Sequence, residues 1–116
     1  MVVMACCVAI VVATGTGRAV AHHGWSEYDN SQTLKVSGKI QQVGEDNPHV
    51  TIELQTKDKV WQAVLAPPSR MQSRGLPPDQ LQVGETVSLV GYPHRSEKSE
   101  MRAEQITVGK KTVPLR

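Results

Sequence analysis

The sequence predicts a mainly β protein, a small five-stranded OB-like Greek-key barrel with one short helix between strands three and four. Two observations lead to this prediction. Apolar and polar residues alternate in separate short segments, which is the pattern of half-buried strands. A helix-sized stretch follows the third segment, and three strands, a helix and two strands is the order of an OB barrel. An open meander with a capping helix is the alternative.

The predicted strands differ mainly in which side faces the core. In the first, Gly38 interrupts the apolar side and indicates a bulge or a sharp bend. In the second, Val50, Ile52 and Leu54 are expected to point inward, and Trp61 in the third is expected to belong to the core. The five strands are predicted at Leu34–Gln41, His49–Thr56, Val60–Leu65, Thr86–Tyr92 and Met101–Val108.

The connections complete the predicted domain. Residues 69–74 are expected to form one or two helical turns, with Ser69 as N-cap and Gly75 as C-cap. Residues 112–115 are expected to form a short tail. The fifth strand is expected at an edge of the sheet, where charges deter pairing with other chains. Its charged neighbourhood is therefore predicted to be a solvated surface, formed by Arg95, Glu97, Lys98, Glu100, Arg102 and Glu104.

The chain divides into a leader, an arm and one domain. Residues 1–21 are predicted to be a cleaved signal peptide, residues 22–33 an N-terminal arm and residues 34–116 the barrel. The apolar run Val2–Ala13 is shorter than the roughly 20 residues that a membrane-spanning helix needs. The small residues Ala19 and Ala21 fit a cleavage site, although no Lys or Arg precedes the run; an uncleaved anchor is the alternative. Cleavage predicts a periplasmic or secreted protein with no stable membrane span.

The composition limits which side chains could bind a metal and which partners the protein could have. Both cysteines lie in the predicted leader, and all four histidines lie after it. A metal site would therefore rest on imidazole, on carboxylate, or on the thioethers of Met71 and Met101. The residues after Ala21 carry 12 basic and 11 acidic side chains, which leaves no basic excess of the kind that a nucleic-acid partner requires.

Several short motifs occur in a specific order along the domain. They are Ala21-His22-His23, Tyr28-Asp29, Leu34 to Gly38, Asn47-Pro48-His49-Val50, Trp61 and Leu81 to Val87. In these motifs the chain resembles a family of small exported bacterial proteins of unknown function. Gly24-Trp25 departs from the resemblance, which would place Ser followed by Phe there. The resemblance implies a periplasmic barrel and supplies no established activity.

The four histidines form the candidate metal site. A free N-terminal His22 would offer its amine and its ring Nδ1 in one chelate, and a second imidazole from His23, His49 or His94 would complete a set suited to copper. His49 closes the loop between strands one and two, and His94 opens the loop between strands four and five; these two loops flank one end of an OB barrel. The competing interpretation is a solvated terminus and a purely structural His49, bonded to a backbone carbonyl.

Trp25 and Tyr28 in the arm are expected to pin it onto the barrel. The sequence contains no Gly-rich nucleophile elbow, P-loop, dinucleotide fingerprint or haem attachment motif, so no enzyme is predicted. The leading hypothesis is a periplasmic binding or accessory protein that holds a transition metal, with copper favoured. The alternative is a structural or interaction module that binds a partner protein or an oligosaccharide without metal.

The export prediction can be checked on protein from the native host. We expect an N-terminal peptide that begins at His22, because Ala19 and Ala21 present the small side chains that signal peptidase accepts. Mass spectrometry of the exported protein reads that terminus directly. Recovery of the full-length chain from the cytoplasm would contradict the prediction and would also remove the His22 amine as a ligand.

Overall fold

The computed structural model describes residues 24–116, so the predicted leader, His22 and His23 lie outside the described residues. Two 3₁₀ turns, at Trp25–Glu27 and Pro78–Gln80, accompany the regular elements. These elements are β1 (Leu34–Asp46), β2 (His49–Thr56), β3 (Val60–Val64), α1 (Pro68–Ser73), β4 (Thr86–Pro93), β5 (Glu100–Val108) and β6 (Lys111–Pro114).

The strands form one sheet in the order β3-β2-β1-β4-β5-β6, and a parallel pairing between β3 and β5 closes it into a barrel. Every other pairing is antiparallel. The five-stranded barrel with a short α-helix between its third and fourth strands is therefore confirmed for the described residues. Its core contains the side chains expected to face inward, since Val50, Ile52 and Leu54 are at most 1% exposed. Trp61, at 9% exposure, belongs to the same cluster.

The first strand changes its pairing partner along its length, from β4 in its first half to β2 in its second. Gly38 pairs with Thr56 of β2 and with Val87 of β4, so it stands at the crossing between the two halves of β1. A Cβ atom at Gly38 would lie 2.1 Å from the carbonyl oxygen of Gln55, so only glycine fits there. The register shift itself lies further along, between Ile40 and Gln42. Gly38 thus allows the close approach, and the bulge follows it.

The short helix differs from the prediction at its start, and at its end Arg74 is the C-cap and the predicted Gly75 is the residue after it. The N-cap is Pro67, with no side-chain cap hydrogen bond, so the prediction of Ser69 as N-cap is wrong. Pro68 takes the first turn, where its fixed φ and missing N–H are tolerated. At the other end Gly75 has φ 89°, and its N–H donates to the carbonyl of Gln72. The Leu76 N–H donates to the carbonyl of Met71, which completes a Schellman-type ending.

The prediction of an edge at the fifth strand is also wrong. β5 pairs with β4 and β6, and its first residues pair with β3 as well. The expected tail forms β6, in register from Gln105↔Pro114 to Val108↔Lys111. Closure of a barrel removes free edges, so the charges on β5 are not needed to repel other strands. They take part in the contacts described below.

The inward face of β2 gives a direct test of this fold. We expect Ile52→Ala and Leu54→Ala each to lower the free energy of unfolding by about 2–5 kcal/mol, because each leaves a cavity in a packed core. Denaturant unfolding measures both. The matched control is Gln55→Ala, at an exposed neighbouring position of the same strand, where a change within about 0.5 kcal/mol is expected. A loss below about 0.5 kcal/mol at both apolar positions would contradict the assigned face.

Candidate functional site

The N-terminal arm lies against one end of the barrel. Tyr28 forms an isolated antiparallel bridge with His94, just after β4, and the Asp29 N–H donates to the carbonyl of Pro93 at 2.8 Å. The Arg95 N–H donates to the carbonyl of Glu27 at 2.9 Å. Backbone hydrogen bonds thus attach the arm to the loop between β4 and β5, independently of side-chain identity.

Aromatic side chains hold the arm a second time, as the sequence predicted. Tyr28 is only 1% exposed, and its ring meets the imidazole of His94 edge-on at a centroid distance of 5.2 Å. Two guanidinium groups lie over the ring of Trp25, with Cζ of Arg102 at 4.2 Å and Cζ of Arg116 at 4.5 Å from the ring centroid. Such stacking stabilises more when the cation is desolvated, and Arg102 is 5% exposed.

The polar side chains at this end form one connected group. The Tyr28 hydroxyl donates to Glu100 Oε2 at 2.6 Å, and the same oxygen lies 3.8 Å from His94 Nε2. Two residues along β5, Arg102 Nη2 lies 3.2 Å from His49 Nε2. We call this group the arm-side cluster; its members are Trp25, Tyr28, His49, His94, Glu100 and Arg102.

Burial shifts the pKa values of two side chains in this cluster, Tyr28 and Arg102. Burial raises the pKa of the Tyr28 hydroxyl well above its ordinary value, and the hydrogen bond to Glu100 raises it further. Burial also lowers the pKa of the Arg102 guanidinium, while the neighbouring Tyr28 acts in the opposite direction. Tyr28 therefore remains a neutral donor to the Glu100 carboxylate throughout the physiological range.

The contacts of His94 determine its tautomer. Its Nδ1 accepts hydrogen bonds from the backbone N–H groups of Ser96 at 3.1 Å and Glu97 at 3.0 Å. In the neutral ring the proton therefore resides on Nε2, which faces Glu100. A metal at Nε2 would require that proton to leave or to move to Nδ1, where it would oppose two amide donors. His94 thus serves first to order its own loop.

His49 is buried, at 9% exposure, and begins β2 directly after the turn. A guanidinium can only donate hydrogen bonds, so His49 Nε2 accepts from Arg102. The predicted alternative was a bond to a backbone carbonyl; at Nε2 the structure places a charged side chain from another strand instead. The two barrel histidines therefore lie at one end of the fold, as the loop positions predicted, with one lone pair of each already engaged.

No group of three or more His, Cys, Asp or Glu side chains suited to a metal occurs within residues 24–116. Met71 and Met101, the thioethers that the sequence left open as soft ligands, are both 0% exposed in the core.

Glu100 and Arg102 are the two cluster residues that sequence reasoning missed. The charged loop and strand were expected to be solvated surface, yet Arg102 is buried and Glu100 binds Tyr28. No local signal marked the burial of Arg102. Met101 and Ala103 belong to the core, so alternation along the strand predicts an outward-facing Arg102, and the ring of Trp25 covers its guanidinium. Glu104 is used similarly: it accepts from the Tyr92 hydroxyl at 2.7 Å and lies 3.7 Å from the Arg116 guanidinium.

A shallow polar groove of about 340 Å³ adjoins the cluster. It lies where the end of β1, the middle of β2 and β3, and the first residue of β5 meet. Hydrogen-bonding side chains come from Asp46, Thr51, Gln62 and Glu100, and Ala63 and Val64 complete the lining. In OB folds this face, between the loops that follow β1 and β4, is where ligands bind.

Comparison with known proteins identifies the fold more closely than the activity. A model of a family of unknown function (DUF6152) matches residues 9–102. No curated protein matches the chain. A crystal structure of a ZRD-deleted mutant of TiaS in complex with agmatine matches 69% of this chain and 22% of its own, with 18% identity and a TM-score of 0.53. A crystal structure of TiaS in complex with an isoleucine tRNA and ATP matches 70% of this chain and 19% of its own, with 18% identity and a TM-score of 0.50.

This chain spans about a fifth of the length of those two structures. At 18% identity the likeness is one of fold, not of ligand or activity. Among residues 24–116, no helix is long and apolar enough to cross a membrane.

The bond between Tyr28 and Glu100 gives a testable contribution to stability. We expect Tyr28→Phe to lower the free energy of unfolding by about 1.5–3 kcal/mol at neutral pH, because it removes a buried hydrogen bond to a charged acceptor. The raised pKa of Tyr28 sets the pH dependence. A raised pKa stabilises the fold below the ordinary tyrosine pKa of about 10, and the contribution is lost as pH rises beyond it.

Denaturant unfolding of wild type and variant at about pH 8 and about pH 11 makes this measurement. The difference between the two proteins should shrink at the higher pH. Tyr92→Phe is the matched control, since its hydroxyl also binds a carboxylate but its side chain is less buried; its effect should be smaller. A larger loss at Tyr92, or a Tyr28 effect that does not change with pH, would contradict the assignment.

Proposed function

The chain belongs to the DUF6152 family, a family of unknown function, and we propose that it is a small periplasmic binding protein that holds a transition metal, with copper favoured, at the start of its arm. The anchoring of the arm supports this proposal. Trp25 is stacked on Arg102 and Tyr28 is bridged to His94. His22 and His23 directly precede Gly24. Covalent geometry therefore keeps their Cα atoms within about 7 Å of the Gly24 Cα atom.

The proposed ligands are nitrogens of the processed terminus. After cleavage behind Ala21, His22 contributes its amine and ring Nδ1, and His23 contributes a second imidazole. Tetragonal nitrogen sets of this kind suit Cu(II). Because His94 Nδ1 and His49 Nε2 already accept hydrogen bonds, we assign these two residues primarily to positioning the arm and its loop. Either could enter the ligand set only through its other ring nitrogen.

We propose binding and not catalysis for the arm-side cluster. Ser96, His94 and Glu100 superficially resemble a hydrolytic triad, because Ser96 Oγ lies 3.2 Å from His94 Nδ1. Two backbone N–H groups compete for that same lone pair at 3.0 and 3.1 Å. A general base needs a lone pair free to take the proton of the nucleophile. The His94 ring is better explained as an acceptor that stabilises the turn after β4, through the backbone N–H groups of Ser96 and Glu97.

The polar groove favours a second candidate function. Its lining residues Asp46, Thr51, Gln62 and Glu100 carry polar side chains on the face that OB folds use for ligands. Two of these side chains already have partners, since Glu100 accepts from Tyr28 and Gln62 donates to Glu53. This arrangement supports an interaction module that binds a partner protein or an oligosaccharide without metal. The two carboxylates argue against a nucleic-acid backbone as the occupant, because phosphate contacts require basic side chains.

The metal proposal is tested by Cu(II) calorimetry on two N-terminal forms. Protein that begins at His22 should bind one Cu(II) at least tenfold more tightly than the same protein with its His22 amine acetylated, because only the first has a free amine beside the ring. His23→Ala should also weaken binding at least tenfold. Affinity should fall as the pH drops below about 6.5, since imidazole must be neutral to bind.

His49→Gln and His94→Gln test whether the barrel contributes. With positioning roles they should change Cu(II) affinity less than His23→Ala does, while lowering the free energy of unfolding. If either weakens binding as much as His23→Ala, that histidine belongs to the ligand set. Equal affinity with and without the free amine would reject the terminal chelate and leave the interaction module as the better account.

A further inference from the structure

A separate groove opens where the hairpin of β2 and β3 parts from β1. Pairing between β1 and β2 begins at Gly38↔Thr56, whereas residues 34–37 pair only with β4 in the described sheet. The hairpin turn at Lys57-Asp58 projects beyond that last pair. The space between the two has a volume of about 470 Å³, which is within the range of small-molecule sites.

The floor of this groove is apolar. Leu34 and Val36 are half-buried and pack against the core, and the side chain of Trp61 completes the lining from β3. Leu34 and Val36 present hydrocarbon surface that neighbouring elements leave partly exposed, whereas Trp61 is 9% exposed. A ligand that covered Leu34 and Val36 would gain roughly 25 cal/mol for each Å² of apolar surface removed from water.

The rim of the groove is cationic. Lys35, Lys57 and Lys59 line it together with a single acidic residue, Asp58. Lys59 Nζ lies 3.8 Å from the ring centroid of Trp61 and donates to the carbonyl of Lys98 at 2.5 Å. One charge is therefore fixed beside the apolar floor. Lys35 and Lys57 are exposed, so their ammonium groups are accessible to a ligand.

We propose that this groove binds a single-chain amphiphilic anion, with the apolar tail on Leu34, Val36 and Trp61 and the carboxylate or similar head group among the lysines. Neither surface alone accounts for such a ligand. The apolar floor would not select an anion, and exposed lysines alone hold an anion weakly because water and salt screen them. The combination recognises both parts of one molecule.

The occupant is a free amphiphile and not a membrane surface. Binding to a bilayer requires exposed apolar side chains that enter the interface. In the described part of the chain the exposed large hydrophobic residue is Val83, at 67%, and it does not line the groove. The groove also shares no lining residue with the arm-side cluster, so the inference is independent of the proposed metal site.

Decanoate is a suitable probe, with acetate and 1-decanol as its head-only and tail-only counterparts. Backbone amide chemical shifts of the exported protein, recorded during titration, give both the affinity and the place of binding. We expect decanoate to shift the amides of residues 34–37 and 56–61. Acetate and 1-decanol should bind at least tenfold more weakly. Added salt should weaken decanoate binding, because screening acts on the head group.

Two double variants test the lysines, and each removes the same two positive charges. Lys35→Gln with Lys57→Gln should weaken decanoate binding at least tenfold. Lys39→Gln with Lys110→Gln, at exposed positions outside the groove, should change it less than twofold. All four substitutions are at exposed positions, so folding should be unaffected, and the amide spectrum itself checks this.

Several results would overturn the proposal. Equal weakening by both double variants would show a general charge effect. Equal affinity for 1-decanol would show a merely apolar surface, and the absence of shifts at residues 34–37 and 56–61 would place binding elsewhere. Binding to anionic phosphatidylglycerol vesicles without any binding of monomeric decanoate would assign the lysines to a membrane surface. None of these outcomes affects the copper titration, which uses different residues.

Discussion

The arm-side cluster is built around the buried guanidinium of Arg102. A guanidinium that is 5% exposed must find compensation inside the fold, because an unpaired buried charge costs several kcal/mol. His49 supplies an acceptor and Trp25 supplies the face of an aromatic ring. The turn before β2 and the N-terminal arm are therefore tied to β5 through one side chain. The arm is part of the folded unit and not an appendage to it.

Much of the fold follows from the sequence because its main signal is local. Alternation with a period of two residues identifies β2 and β4, and Val50, Ile52 and Leu54 face inward as that pattern requires. The pairing of β3 with β5 is different in kind. It joins Ala63 to Met101 across the chain, and no local pattern encodes which strand closes a barrel. The expectation of an edge at β5 failed for that reason. The missed β6 is different, because Val108 pairs with Lys111 across a short turn at Gly109, which is a local hairpin.

In the candidate site, too, local sequence signals predicted part of the arrangement and tertiary contacts decided the rest. Loop positions along the chain predicted that His49 and His94 would lie at one end of the barrel, and the arm residues Trp25 and Tyr28 were expected to pack there. The partners of each side chain could not be predicted. Sequence does not reveal that His94 Nδ1 faces two amides or that His49 Nε2 faces a guanidinium. Those contacts decide whether an imidazole is a ligand or a support, and they depend on tertiary packing alone.

The Tyr28–Glu100 bond joins residues separated by 72 positions in sequence. A chain is synthesised from its N-terminus, so the arm emerges long before the strand to which it docks exists. Until β5 is complete, the aromatic rings of Trp25 and Tyr28 have no surface to cover them. Contacts of such long range also form late because loop closure must precede them. The arm is thus the first part of this domain to be made, and the contacts that hold it need residues that are made much later.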